Sequence, residues 1–165
     1  MLDLPHKEKI KLIASDFDGI LTDGGLYLSC TDSGESFKKI NYKDIMGISL
    51  WVKSGKKFAI ISGDASEAIN TLAKKFNLED VHQGLKFEQK SEALQKIMDK
   101  YGLSPEEVCY IGDDINDITS LKLCATPITV PDANYRLKKE INDIIITKAM
   151  GGFGAIREVV DSILL

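Results

Sequence analysis

"IASDFDGILTDGG", residues 13–25, places three aspartates at the end of a short apolar run that stops in glycine. The run extends back to Ile10 and reads as a buried strand, with Asp16 and Asp18 standing where it ends. Alternate residues of a strand face the same way, so this reading puts both carboxylates in one small space. Like charges that close raise each other's pKa unless a cation stands between them. Such an arrangement costs folding energy and points to chemistry rather than packing.

The same design recurs along the chain. Residues 57–62 ("KFAIIS"), 107–112 ("EVCYIG"), 127–130 ("PITV") and 143–148 ("DIIITK") are further short apolar runs, mostly closed by Gly, Asp or Pro. Helical periodicity fills the gaps. Ile69, Leu72, Ala73 and Phe76 fall at i, i+3, i+4 and i+7, and Leu94, Ile97, Met98 and Tyr101 repeat that spacing. Gly102 is placed to stop the second helix, and "SPEE" (104–107) carries a capping-box pattern with Pro105 at the first helical position. Strands alternating with helices predict an α/β fold, a doubly wound parallel sheet whose ligand sits beyond the carboxyl ends of its strands. The exception is residues 24–41, where "LYL" and "SFKKI" flank the turn-rich "CTDSGE" and read as a β-hairpin flap just behind Asp16 and Asp18. No repeat or linker divides the chain, so one domain over residues 1–165 is expected.

Composition sets the outer limits. With 44% hydrophobic and 28% charged residues, the chain has an ordinary globular profile. The net charge of −4 with no basic cluster argues against a nucleic-acid surface. No apolar stretch approaches a membrane span, and the charged "MLDLPHKEKIKL" lacks a signal peptide's apolar segment. Cys30, Cys109 and Cys124 show no paired spacing and are expected to be reduced thiols in a cytoplasmic protein.

The polar residues at the strand ends converge if the sheet is parallel. Asp16 and Asp18 end the first strand, Ser62 the second, and Asp113 and Asp114 a later one, while Lys90 opens the helix before it. Mg²⁺ suits such carboxylates, being a hard cation that prefers oxygen ligands and bridges to phosphate. Lys90 and Ser62 suit phosphate oxygens, and a carboxylate can itself act as a nucleophile. Each residue also has a plain structural reading: "DFDG" and "GDD" as turns, Ser62 as a helix cap, Lys90 as a solvated cation. Their order, one at each predicted strand end or helix start, favours the site.

That order resembles the haloacid dehalogenase-like phosphatases: DxD after the first strand, "SGD" at a strand end, Lys opening a helix, then "GDDIND". The resemblance implies Asp16 as nucleophile and Asp18 as general acid/base. It implies Ser62, Gly63 and Lys90 as phosphate ligands. Mg²⁺ would be held by Asp16, Asp113 and the backbone carbonyl of Asp18, with Asp114, Asn116 and Asp117 in support. The gaps between the motifs leave no room for a cap domain. "LTDGGLYL", "GESFKKINYKDIMGI", "HQG" and "GGFGAIREVVDSIL" narrow the resemblance to the 3-deoxy-D-manno-octulosonate 8-phosphate phosphatases and the related nonulosonate (sialic acid-type) 9-phosphate phosphatases. This implies a small-molecule sugar-acid phosphate as substrate, no nucleic-acid or membrane partner, and a homotetramer whose neighbouring subunits help to close each site.

Departures bear on the sugar. Many octulosonate phosphatases carry Arg where this chain has Asp64, and Leu72 replaces another common Arg. Asp64 either caps the following helix together with Glu67 or contacts substrate. Lys75 and Arg157 are further candidate substrate contacts, Arg157 being equally readable as a surface charge. Lys38 and Lys39 read as a solvated hairpin face. Two rivals stand outside the enzyme class or mechanism: a receiver-type signalling domain, disfavoured because its phosphoaccepting Asp ends a middle strand, and a catalytically silent assembly domain, disfavoured because both DxD carboxylates are present.

Overall fold

The structure, a computed structural model, describes residues 1–30 and 36–165. Six parallel strands form one sheet: β1 (Leu12–Ser15), β4 (Lys57–Ile61), β5 (Asp80–His82), β6 (Val108–Ile111), β7 (Thr126–Thr129) and β8 (Ile145–Ile146). Their spatial order is β5-β4-β1-β6-β7-β8. The chain therefore winds outward in one direction from β1, then returns to wind outward in the other. The crevice opens where that direction reverses, between the ends of β1 and β6.

Alternation within β1 and β6 builds a core on each face. Ile13, Cys109 and Ile111 face α1 (Tyr42–Lys53), α2 (Glu67–Phe76) and α6 (Ala155–Leu164), where they pack with Ile48, Trp51, Ile69, Val159 and Val160. Leu12, Ala14, Val108 and Tyr110 face α3 (Gln89–Tyr101) and α4 (Ile118–Leu121), packing with Leu94, Ile97, Met98 and Leu121. Asp16 continues the second register, toward α3. A fifth helix, α5 (Tyr135–Glu140), lies between β7 and β8. Gly102 closes α3 in a left-handed conformation with φ +62°, as its position predicts.

Two elements differ from the pattern reading. "SPEE" forms its capping box, but around a single 3-10 turn at Pro105–Glu107, because β6 begins at Val108 and leaves no length for a helix. The strand expected over residues 143–148 pairs only at Ile145–Ile146; it is an edge strand with β7 on one side, and Asp143 enters it with φ +59°. Between β1 and β4 stand a hairpin, β2 (Tyr27–Leu28) and β3 (Ser36–Phe37), and the helix α1. Apart from Cys30, the hairpin's expected turn lies outside the described residues. Among the described residues no helix is long and apolar enough to cross a membrane. Cys109 and Cys124 are buried free thiols and Cys30 an exposed one.

Candidate active site

Strand β1 ends at Ser15, and the backbone N–H of Asp16 still donates to Ile111 on β6 at 2.9 Å. The chain then folds into a tight turn, in which Leu21 and Thr22 both donate to the Phe17 carbonyl. This turn separates the two aspartates of the DxD. Asp16 points to α3, and its Oδ2 accepts from Lys90 Nζ at 2.6 Å while Oδ1 accepts from the Phe17 N–H at 2.6 Å. Asp18 instead faces the hairpin: Thr22 Oγ1 donates to its Oδ1 at 3.2 Å, and Lys38 Nζ donates to its Oδ2 at 2.7 Å. The expectation that strand alternation would press both carboxylates into one space fails, because the strand ends at Ser15, before either aspartate.

The crowding lies elsewhere. Asp16, Asp113 and Asp117 bring carboxylate oxygens within 4.8 Å of one another. Asp117 is fully buried and already committed. Its Oδ1 accepts from Lys90 Nζ (2.9 Å) and from Tyr110 OH (2.8 Å), while Oδ2 accepts from the N–H groups of Asp113 and Asp114 (3.1 and 3.2 Å). Tyr110 passes in the sequence as one apolar strand residue among several, and only its burial beside Asp117 shows the hydroxyl at work. Three carboxylates thus face one ammonium, which leaves two negative charges uncompensated in a nearly dry space. Burial, followed by the repulsion of Asp117, drives the Asp16 carboxyl well above the usual carboxylate range despite Lys90. Burial, then Asp117 and Asp114, push Asp113 up to about 7. Such a donor set, all hard oxygen and short of two positive charges, fits a divalent cation.

Asp114 turns away. It caps the 3-10 turn of residues 115–117 and accepts from Asn134 Nδ2 at 2.9 Å, so it shapes the loop from outside the cluster. Ser62 is buried at the end of β4; its Oγ accepts from the Asp64 N–H at 3.1 Å, leaving its proton free to donate. A Cβ added to Gly63 would lie 3.6 Å from Asn116 Nδ2 and 4.0 Å from Lys90 Cε. Ser62, Gly63, Lys90 and Asn116 therefore gather beside Asp16, and Asn116 Oδ1 is buried without a hydrogen-bond partner. One close approach that the sequence did not single out is Gly19: with φ +78°, it lies where a Cβ would come within 2.1 Å of Asp113 Oδ2.

Of the remaining candidates, Asp64 lies beside Asp18 and the others lie apart. Asp64 does not cap α2; Ser66 occupies that position, and Asp64 instead accepts from Lys38 at 2.5 Å. Lys38 is accordingly no solvated hairpin charge, its side chain being 9% exposed. Lys39 fits the expected exposed face and pairs loosely with Asp23 at 3.3 Å. Lys75 is exposed in the last turn of α2, at the opposite end of the sheet from Asp16. Leu72 is core. Arg157 pairs with Asp161 at 2.8 Å and does not reach the Asp16 cluster within the chain.

The C-terminal glycines approach the active-site turn itself. A Cβ on Gly151 would fall 1.8 Å from the Gly19 carbonyl oxygen, and Gly152 N–H donates to Ile20 at 2.8 Å. Buried Asp44, in "DIMGI", holds this segment by accepting from the Gly154 and Arg157 N–H groups at 2.9 and 3.1 Å. The tail thus buttresses the loop that carries Asp18.

Comparison with known proteins places this arrangement. A family model described as haloacid dehalogenase-like hydrolase matches residues 41–124. The 3-deoxy-D-manno-octulosonate 8-phosphate phosphatase KdsC of Escherichia coli K12 is 32% identical over 158 residues, covering 96% of this chain and 81% of that protein. The chain belongs to the haloacid dehalogenase-like hydrolases. Within that family it is a phosphatase enzyme, and phosphatases of the family use a divalent metal. KdsC of Haemophilus influenzae is likewise 32% identical, over 95% of this chain and 84% of that protein. Among solved structures, the octulosonate 8-phosphate phosphatase of Moraxella catarrhalis, in complex with magnesium ion, phosphate ion and a KDO molecule, superposes with TM-score 0.87. It is 33% identical, covering 96% of this chain and 88% of that one. The cobalt-bound enzyme of H. influenzae gives 0.85 at 31% identity, covering 96% and 90%. Membership in this hydrolase family removes the receiver-domain reading, and the phosphatase relatives weigh against the silent assembly domain.

Proposed function

We propose that the chain hydrolyses a sugar-acid phosphate monoester in the cytoplasm, foremost 3-deoxy-D-manno-octulosonate 8-phosphate, and so serves lipopolysaccharide biosynthesis. The observation that carries the mechanism is the buried Lys90–Asp16 pair at the end of β1, beside Ser62 and Gly63. A carboxylate oxygen of Asp16 attacks phosphorus, the sugar oxygen leaves with a proton from Asp18, and an aspartyl phosphate forms. Asp18 then takes a proton from water, whose oxygen attacks the same phosphorus and returns Asp16 and inorganic phosphate. Lys90 and Ser62 hold the phosphoryl oxygens, while Asp117 fixes Lys90 and the Asp113 loop. Asp16, Asp113 and the Asp18 carbonyl would hold Mg²⁺, which would neutralise charge at the phosphoryl group. Asp114 and Asn116 shape its surroundings.

The 32% identity to KdsC over almost the whole chain supports the octulosonate. Asp64 in place of a cation supports a second reading, a nonulosonate 9-phosphate. Exposed Leu26, Tyr27, Leu28 and Phe37 on the hairpin support cover by neighbouring subunits of a homotetramer, which is also what would bring Lys75 or Arg157 to a substrate. Phosphate release with each sugar phosphate, in Mg²⁺ and in chelator, tests the proposal. The octulosonate ester is expected to give the higher kcat/KM, and chelator to abolish turnover. Preference for the nine-carbon ester would move the assignment to the second reading; full activity in chelator would overturn the metal's role.

A further inference from the structure

Asp18 stands on a turn, with its side chain 35% exposed, yet proton transfer demands that its carboxyl be held in one orientation. Two contacts hold it. Thr22 is buried, and its Oγ1 already accepts from the N–H groups of Gly19 (3.3 Å) and Gly24 (3.2 Å), so its single proton is directed at Asp18 Oδ1. The other oxygen rests on Lys38 alone among the described side chains. A lysine ordinarily positions nothing, since its stem is flexible and its ammonium compact. Here Lys38 directly follows β3 of the hairpin, and its Nζ lies over the Phe17 ring, 5.6 Å from the centroid, between Asp18 (2.7 Å) and Asp64 (2.5 Å). Burial lowers the ammonium's pKa, but its hydrogen bonds to the two carboxylates outweigh that and raise it overall. The Lys38 hydrogen bond holds the Asp64 carboxyl below the usual range.

We propose that Lys38 is a positioning residue for Asp18 and that Asp64 is the anchor that makes Lys38 rigid enough to act. This accounts for the carboxylate at position 64. It ties an ammonium borne by the hairpin to the end of β4, next to Ser62 and Gly63, so the seating of the hairpin sets the acid/base geometry. The three side chains line a cavity of about 260 Å³ with Gly24, Gly25 and Leu26, directly beside Asp18. A leaving group protonated by Asp18 passes into this cavity, and its chemistry therefore reports on Lys38.

The proposal rests on Asp18 as the acid/base, and its test separates the two claims. Single-turnover release of the alcohol from a primary alkyl phosphate, whose alkoxide needs a proton to leave, is compared with that of 4-nitrophenol from 4-nitrophenyl phosphate, whose phenolate does not. This step precedes the aspartyl-phosphate hydrolysis that Asp18 also serves and that both esters share. Asp18→Asn must hit the alkyl ester harder; equal loss on both esters would remove the acid/base assignment and the proposal with it. Lys38→Met, which keeps the stem, is expected to lower this first-step rate on the alkyl ester about 10- to 100-fold through misplacement of a correctly built acid. KM should move less than about threefold and the aryl ester should be much less affected, because the lost contact serves the proton and not binding. Asp64→Asn should give part of this loss and the double variant no more than Lys38→Met alone, since both act through one ammonium. Lys38→Arg should recover most of the activity. A Lys38→Met defect confined to KM, equal on both esters, or strictly additive with Asp64→Asn overturns the proposal while leaving Asp18 in its role.

Discussion

Lys90→Met removes one ammonium and keeps most of the stem's volume, so it tests the buried charge cluster with little change in packing. Lys90 Nζ lies 2.6 Å from Asp16 and 2.9 Å from Asp117, and the three side chains are 0%, 8% and 0% exposed. Removing one partner of a buried ion pair costs about 3–5 kcal/mol, because the other charge is left without compensation. Two carboxylates are stranded here, which pushes toward the upper value. Protonation limits the loss: Asp16 is already raised by burial and by Asp117, and it takes up a proton once Lys90 is gone. The expectation in chelator at pH 7 is therefore a loss of about 3–5 kcal/mol, a large share of the ~5–15 kcal/mol that holds a domain folded. Trp51 is the single tryptophan and is buried, so urea unfolding followed by its fluorescence reads the change. Adding Asp117→Asn to Lys90→Met should restore about 1 kcal/mol or more, because the two residues are in contact and their effects couple. Activity should stay lost. A loss under about 1 kcal/mol at unchanged m-value, or a double variant that simply adds the two penalties, would show that Lys90 does not compensate this cluster.

Asp113, pushed up to about 7 in the fold against 3.8 unfolded, binds its proton more tightly when folded. Stability in chelator should therefore fall as pH rises from about 4 to about 7, and Asp113→Asn should flatten that slope in urea titrations; an unchanged slope contradicts it. Asp44→Ala strips the acceptor from the N–H groups of Gly154 and Arg157. It should cost about 2–4 kcal/mol and speed hydrogen exchange at those two amides, and unchanged exchange there would show that the carboxylate holds nothing.

Element ends were the legible part of this chain. Asp16, Ser62, Lys90 and Asp113 each sit where an apolar run stops or a helical period starts, so periodicity alone sends them to one edge of a parallel sheet. Lys38 was not legible. Its local pattern is that of any hairpin lysine, and its partners Asp18 and Asp64 lie 20 and 26 residues away in sequence. The capping alternative at Asp64 fails for a related reason: a carboxylate three residues before Glu67 satisfies a capping rule, while the loop hands the cap position to Ser66. Tyr110 lay hidden in its own strand, since nothing in "VCYI" shows that one face ends against Asp117. That the glycines at 151 and 152 approach the turn at residues 19–23 is a long-range fact that no local pattern carries.

The central claim is that Asp16 attacks the phosphorus of an octulosonate 8-phosphate. Acid quenching of the enzyme during turnover of that ester in Mg²⁺, followed by peptide mass mapping, addresses it most directly. A mass increase of one phosphoryl group is expected on the peptide containing Asp16, absent from the Asp16→Asn variant, which should also lose turnover. An Asp16→Asn enzyme that still releases phosphate at the wild-type rate, or an adduct carried by another peptide, would contradict it.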